Sequence, residues 1–187
     1  MNATAALLTL PTPADRETRL LDAAREGDLD AFEALVRRHQ RKVYSLAWHG
    51  VRDPMVAEEI AQDVFLQLHA SLPRIESPAH LGAWLRRTTA HRVIDTLRAR
   101  RPARSLDDVA EPHTIAADVD PLADRLVHRA LGRLAPQARL VVMLRYMHDL
   151  APTEIAETLD MSLNTVKSHL RRGLLVLRTR LQRESCR

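Results

Sequence analysis

The sequence predicts an all-α protein made of two small helical domains joined by a flexible linker. Three observations support this fold class. Aromatic residues make up only 3% of the 187 residues and glycine occurs five times, whereas the helix-forming Ala, Leu and Arg are frequent. Apolar residues recur at spacings of three and four, often behind a polar cap and a proline. A stretch rich in Pro, Asp and Ala separates two groups of such helices.

The N-terminal domain is predicted to span residues 18–101 and to follow a disordered leader over residues 1–17. Its first helix covers about 19–26. The second begins at Asp30, where Glu33 three residues later completes a capping box, and it runs to about residue 50.

The third helix begins at a clear start signal, in which Asp53 serves as the cap and Pro54 occupies the first turn. The two prolines of the segment 71–80 predict a loop, and a fourth helix follows over about 81–100. The third helix has an apolar stripe at helical spacing, formed by Val56, Ile60, Val64 and Leu68.

The linker is predicted over residues 102–121, between Pro102 and Pro121. Within it, residues 105–121 hold five acidic residues and no Lys or Arg. A second, four-helix domain is then expected over 122–187, with helices near 122–133 and 136–147 ahead of a helix-turn-helix.

The segment after Leu150 predicts that helix-turn-helix. Pro152 suits the first position of a helix, Asp160 tolerates a left-handed turn, and the hydroxyl of Ser162 can cap the next helix by accepting from the backbone N–H near Thr165. Val166 and Leu170 face inward, with either Gly173 or Leu174. The donor-rich residues left outside are those that read base edges and hold phosphates, namely Ser162, Asn164, Thr165, Lys167, Ser168, His169, Arg171 and Arg172.

The charge distribution favours a polyanionic partner. The net charge is +4 and the isoelectric point is about 9.9. Seven Arg and one acid occupy residues 86–104, and seven Lys or Arg and one acid occupy 162–187. Two basic blocks on either side of an acidic linker predict two contacts on one polyanion.

Several other classes of protein are disfavoured. The lone Cys186 allows no disulfide framework and is consistent with the cytoplasm. No apolar run approaches the length of a membrane span, and residues 5–8 are too short for a signal peptide. A metal enzyme on a helical bundle would need Glu-x-x-His pairs, which do not occur, so we expect no catalytic residues, metal or cofactor.

Both halves resemble one protein family. The run Ala57-Glu-Glu-Ile-Ala-Gln-Asp-Val-Phe-Leu66 resembles a signature of bacterial sigma factors, as does Trp84-Leu85 followed by Asp95 and the Arg98-Ala-Arg-Arg101 segment. The helix-turn-helix resembles their second DNA-binding domain. Two domains in this order with a short linker are similar to the extracytoplasmic-function class of alternative sigma factors.

The resemblance implies a non-enzymatic subunit of RNA polymerase that directs promoter-specific initiation. Its first domain would bind the largest catalytic subunit and open the −10 element; its second would contact the other large subunit and read the −35 duplex with the outward residues given above. The acidic face of the third helix would dock on polymerase through Glu58, Glu59, Gln62 and Asp63. Strand opening would use Arg74, His80, Arg87, His91, Arg92, Arg98, Arg100 and Arg101.

The same resemblance implies core RNA polymerase, promoter DNA and an anti-sigma factor as partners, and a monomer when free. Trp84 is interpreted as a core residue rather than a stacking platform. The alternative is a stand-alone helix-turn-helix regulator, which would bind duplex DNA by itself as a dimer. That alternative leaves the acidic third helix and the basic fourth helix without a purpose.

Overall fold

The protein is described here from a computed structural model that covers residues 12–100 and 129–185. Every regular element in that part of the chain is helical, which confirms the all-α fold class. A short 3₁₀ helix over Leu72–Arg74 lies between the third and fourth helices. The α-helices are α1 Pro13–Arg25, α2 Leu29–Val51, α3 Pro54–Ser71, α4 Pro78–Ala99, α5 Pro136–Tyr146, α6 Pro152–Leu159 and α7 Leu163–Ser185.

Three predicted boundaries are wrong. The helix α1 begins at Pro13 rather than near Arg19, because Thr12 and Asp15 form a capping box at its start. The disordered leader therefore cannot extend to residue 17. The cap of α2 is Asp28, not Asp30: its carboxylate accepts from the backbone N–H groups of Asp30 and Ala31 at 2.9 and 3.0 Å.

The third boundary is the start of α4, which lies at Pro78 rather than Leu81. The hydroxyl of Ser77 accepts from the backbone N–H of His80 at 3.1 Å, so the helix gains a turn. The predicted loop over 71–80 is correspondingly shorter. The start of α3 is as predicted, with Asp53 accepting from Val56 N at 3.3 Å and Pro54 in the first turn.

The N-terminal helices pack around α2, which contacts α1, α3 and α4. The apolar stripe predicted on α3 is confirmed, since all four of its residues are at most 5% exposed. At about 25 cal/mol for each Å² of apolar surface removed from water, such stripes supply most of the drive for these helices to associate.

In the C-terminal part, α7 packs against α5 and α6. The choice left open between Gly173 and Leu174 is settled in favour of Gly173, which is buried, whereas Leu174 is 40% exposed. A Cβ atom at Gly173 would lie 2.8 Å from Cγ2 of Val142, so the lack of a side chain is what lets α7 approach α5 this closely.

The two halves are in contact. α2 and α4 pack against α5, and α4 also packs against α6. One apolar cluster therefore runs through both halves, from Leu21 in α1 to Val166 in α7. The predicted linker over 102–121 and most of the helix predicted near 122–133 lie outside the described residues. Within the described ranges, no helix has the length and apolar character needed to cross a membrane.

Candidate nucleic-acid and protein interfaces

The helix-turn-helix predicted from the sequence is formed by α6, a three-residue turn over 160–162 and α7. Asp160 adopts the left-handed conformation that ends α6, with φ at 51°. Ser162 caps α7, its Oγ accepting from the backbone N–H of Thr165 at 3.1 Å. Both local features are as predicted, and they fix the direction in which α7 leaves the turn.

The N-terminal turns of α7 present a polar, basic face. Of the eight residues predicted there, Ser168 and His169 are half-buried and the other six are exposed. Burial and then the neighbouring Arg172 guanidinium lower the pKa of His169, so its imidazole is neutral at pH 7. The face therefore offers neutral donors and acceptors for base edges, together with three cations for phosphates: Lys167, Arg171 and Arg172.

The basic residues predicted on α4 divide between two faces of the helix. His80, Arg87, His91 and Arg98 are spaced by seven, four and seven residues, which places them on one side. Arg92 and Arg100 point elsewhere and pair with acids of the N-terminal half. The Arg92 guanidinium lies 3.8 Å from the carboxylate of Asp63, and that of Arg100 lies 3.1 Å from Asp53.

The other residues predicted to act in strand opening lie at or near the two ends of α4. Arg74 is exposed in the 3₁₀ helix, and Nδ1 of His80 accepts from the backbone N–H of Glu76 at 3.3 Å. Arg98 is exposed beside Asp95, whereas Arg101 lies outside the described residues. Trp84 is partly buried against the core, in line with the core role predicted for it.

Arg87 and His91 contact the helix-turn-helix itself. Nη2 of Arg87 donates to Oδ1 of Asp160 at 3.0 Å. Nε2 of His91 donates to the backbone carbonyl of Thr158 at 2.9 Å. The middle of the basic face of α4 is therefore in contact with the end of α6.

The four polar residues on α3 that were predicted to bind polymerase are all exposed, but they lie on two different sides of the helix. Glu58 and Gln62, one turn apart, lie at the edge of a groove between α2 and α3. Glu59 and Asp63 lie further round the helix, and Asp63 pairs with Arg92. Burial and then the nearby Glu58 carboxylate raise the pKa of Tyr44, which lines the same groove.

The groove itself was missed by sequence reasoning. Its floor is mostly apolar, and Leu66 at its edge is 70% exposed. His69 meets the ring of Phe32 edge to face at 5.0 Å at one end. The available signal was the run Val64-Phe65-Leu66: only Val64 belongs to the core stripe, so the next two apolar residues must face another direction.

The described residues contain no group of three or more His, Cys, Asp or Glu side chains arranged to hold a metal ion.

Two family models match the chain. Sigma-70 region 2 matches residues 35–103, and sigma-70 region 4 matches residues 124–177. The first match covers α4 and most of the residues that line the groove between α2 and α3, and the second covers the helix-turn-helix.

Curated relatives match over most of their length. The ECF RNA polymerase sigma factor SigK of Mycobacterium sp. (strain KMS) is 31% identical over 167 residues, which covers 83% of this chain and 85% of the relative. SigW of Bacillus subtilis (strain 168) is 27% identical, covering 84% and 92%. The RNA polymerase sigma-E factor of Streptomyces coelicolor is 33% identical, covering 83% and 88%.

Solved structures share the fold. CnrH in complex with the cytosolic domain of CnrY aligns with a TM-score of 0.63 at 24% identity, covering 89% of this chain and 97% of that one. The sigma factor RpoE in complex with the anti-sigma factor NepR from Bartonella quintana aligns with a TM-score of 0.67 at 18% identity, covering 82% and 98%.

Proposed function

The chain belongs to the extracytoplasmic-function family of bacterial RNA polymerase sigma factors, and we propose how its surfaces divide the work of that family. It is an alternative sigma factor that directs promoter-specific transcription initiation by RNA polymerase. In the proposal, the groove between α2 and α3 binds core polymerase, α4 binds the opened −10 element, and α7 reads the −35 duplex. One observation carries the proposal: the groove and α4 lie on the N-terminal half, whereas the exposed face of α7 lies on the C-terminal half.

The proposed polymerase-binding surface combines an apolar floor with a polar edge of mixed charge, which holds Glu58 as well as Arg37 and Arg41. Exposed apolar side chains are common singly, but a continuous apolar groove edged by polar groups is typical of a protein interface. Leu66 and Phe65 supply apolar contact, while Glu58 and Gln62 supply polar contacts at the edge.

A matched pair of substitutions tests this surface. Leu66 and Met55 lie on the same helix and are 70% and 72% exposed, but only Leu66 lines the groove. We expect Leu66→Ser to weaken binding to core polymerase by at least about tenfold, and Met55→Ser to leave it unchanged. Equal affinities for the two variants would place the interface elsewhere. Charge reversal at Glu58 and Glu59 tests separately whether the exposed carboxylates of α3 contribute to core binding.

The proposed −35 reader is the N-terminal part of α7. Arg171 and Arg172 are exposed there, and the short helix α6 with its left-handed turn holds them at a fixed angle. Loss of a base contact costs about 1–3 kcal/mol and relaxes specificity at that base pair, whereas loss of a phosphate contact lowers the salt slope by about one.

Promoter binding by the holoenzyme separates those two roles. Arg171→Ala and Arg172→Ala are each compared with Arg178→Ala, which removes another exposed arginine from α7 beyond the proposed reader. We expect the first two variants to lose promoter selectivity or salt dependence and the control to keep both. If all three behave alike, α7 does not read the duplex through this face.

The finer assignments follow from the same proposal. In this proposal the region 2 domain runs from α1, which begins at Pro13, to residue 101, the linker spans 102–121 and the region 4 domain spans 122–187. The protein is cytoplasmic, has no catalytic activity of its own and is a monomer when free. CnrH and RpoE were solved with CnrY and NepR respectively, which supports an anti-sigma partner here as well.

A further inference from the structure

We propose that the cavity between α2, α4 and the turn after α5, residues 147–149, is a binding site for a small oxyanion of the phosphate class. The site is separate from the groove on α3 and from the exposed face of α7. Side chains from both halves of the molecule line it, so a bound anion would contact both halves at once. The inference goes beyond the proposed function and does not depend on it.

The size of the cavity suits an ion of a few heavy atoms. Its volume is about 170 Å³. One water molecule needs roughly 10–15 Å³ of such space, whereas sites for drug-sized ligands start at about 300 Å³. Lys42 and Asp149 in its wall are exposed, so the cavity communicates with solvent and an ion can enter it.

Two cations in the cavity wall lack an anionic partner. Lys42 in α2 and Arg86 in α4 line the cavity, and neither forms an ion pair with any of the described residues. Nε of Arg86 is buried and has no hydrogen-bond acceptor among those residues. Burial lowers the pKa of Arg86, and Glu154 opposes this only in part. A buried N–H group without an acceptor is costly, and an oxyanion would supply the acceptor.

The backbone of α4 leaves room for the Arg86 guanidinium beside the cavity. Gly82, one turn earlier, also lines the cavity, and a Cβ atom there would lie 3.3 Å from Nη1 of Arg86. The guanidinium therefore lies against Gly82, along the cavity wall. Glycine inside a helix is destabilising relative to alanine, and the space it leaves for Arg86 is what the helix gains at this position.

The electrostatic potential inside the cavity favours an anion. Burial, then Arg86 and Lys42, lowers the pKa of His148, so cations on two different helices both act on its ring. The neutral His148 ring keeps one N–H donor. Asp149 is the one acid among the described residues that line the cavity, and its exposed carboxylate is screened by solvent. Donors from three elements therefore surround the space against one solvated carboxylate.

Titration of the full-length protein with sodium phosphate at neutral pH tests the site, with sodium chloride adjusted to keep the ionic strength constant. The readout is the ring signal of His148 in proton–carbon correlation NMR spectra, identified as the signal that is missing from His148→Gln. We expect this signal to shift with phosphate and to saturate. The signal of His69, which is exposed and does not line the cavity, should stay in place.

Two substitutions on different helices and one control identify the ligands. Arg86→Gln should weaken phosphate binding by at least about tenfold, as expected for loss of a hydrogen bond to a charged group. Lys42→Gln should weaken it about two- to fivefold, because Lys42 is exposed. Arg19→Gln removes an exposed arginine of α1 that does not line the cavity, and it should leave the phosphate affinity unchanged.

The proposal is overturned if the His148 signal does not respond, if it shifts without saturating, or if all three variants bind phosphate alike. Each of these results would mean that phosphate binds only at random to a basic surface. Because Lys42 is exposed, its variant keeps the fold, so the test does not depend on the folding of Arg86→Gln.

A parallel titration with adenosine monophosphate identifies the source of the phosphate group. Saturation of the His148 signal by both compounds supports a site for the phosphate of a small metabolite, and saturation by inorganic phosphate alone supports a site for the free ion. These measurements contain no polymerase. Failure of the proposed function would instead appear as absence of core binding, with phosphate binding unaffected.

Discussion

At the scale of single residues, Arg139 makes four hydrogen bonds that the sequence does not predict. Arg139 lies in a run of alternating polar and apolar residues at the start of α5, where an arginine normally faces water. Its burial follows from where two helix ends meet, which is tertiary information. Asp160 and Ser162 were predictable because the left-handed turn and the cap depend only on neighbours in the chain.

Replacing Arg139 should therefore destabilise the fold more than replacing another arginine of the same helix. The Arg139 guanidinium donates four hydrogen bonds to buried backbone carbonyls, those of His49, Gly50, Leu131 and Leu134. Arg139→Ala removes all four bonds, and we expect a loss of about 3 kcal/mol or more in the free energy of unfolding. Arg145 donates once, to the carbonyl of Leu150, so Arg145→Ala should cost about 1 kcal/mol. Urea unfolding measures both, and equal losses would contradict this account of Arg139.

At the scale of helices, periodicity and caps predicted the elements well. The stripe of α3, the start of that helix and the turn before α7 all follow from local rules. For α1, α2 and α4 the sequence predicts a start that is later in the chain than the start in the structure. For α2 the reason is Gly27, whose φ of +96° turns the chain sharply just before the helix. The next residue, Asp28, therefore takes the N-cap position instead of Asp30. The groove between α2 and α3 depends on two helices at once and could not be derived from either.

The cap of α7 allows stability and DNA binding to be separated. Ser162→Ala removes the acceptor for Thr165 N and should cost about 1 kcal/mol of unfolding free energy and weaken −35 binding. Ser162→Asp restores a good cap but places a negative charge at the proposed DNA surface. We expect it to recover the stability and to bind duplex promoter no better than the alanine variant.

Thermal or urea unfolding measures the change in stability, and duplex binding by the holoenzyme measures the change in DNA binding. Recovery of DNA binding along with stability in Ser162→Asp would show that Ser162 acts only through the cap. Loss of both would mean that the helix start does not tolerate the carboxylate.

At the scale of the whole molecule, the buried His49 and the half-buried His148 tie stability to pH where the halves meet. His49 lies close to Arg139 and Arg52, and burial followed by those cations lowers its pKa to about 4. His148 lines a cavity of about 170 Å³ between α2, α4 and the turn after α5. Burial, then Arg86 and Lys42, lowers its pKa to about 4, against the opposing effect of Asp149.

Both histidines are neutral in the folded protein and titrate near 6.5 when unfolded, so the unfolded chain binds more protons between pH 6.5 and 4. Stability should be complete above about pH 7 and fall as the pH drops through that window. At pH 5 the loss should reach about 2 kcal/mol for each histidine. Urea midpoints for the unsubstituted protein, His148→Gln and the exposed control His80→Gln check this. Only His148→Gln should show a flatter pH profile, and three parallel profiles would contradict it.

The division of the chain into two helical domains was predictable from composition and charge, but their contact was not. The acidic residues of α6 are distributed like those of an ordinary solvated helix, and nothing in the sequence shows that α4 lies opposite them. Periodicity and charge could indicate only that the protein binds nucleic acid. The more specific function, transcription initiation, came from the resemblance of both halves to one family.

Run-off transcription with bacterial core polymerase on fragmented genomic DNA, followed by sequencing of the transcript starts, tests the central claim most directly. We expect starts that appear only when this protein is added and that share two spaced upstream elements. Leu66→Ser should reduce all of these starts together, while Arg171→Ala should change which starts are used. Absence of new starts, with duplex DNA binding by the protein alone intact, would contradict the assignment and favour a stand-alone regulator.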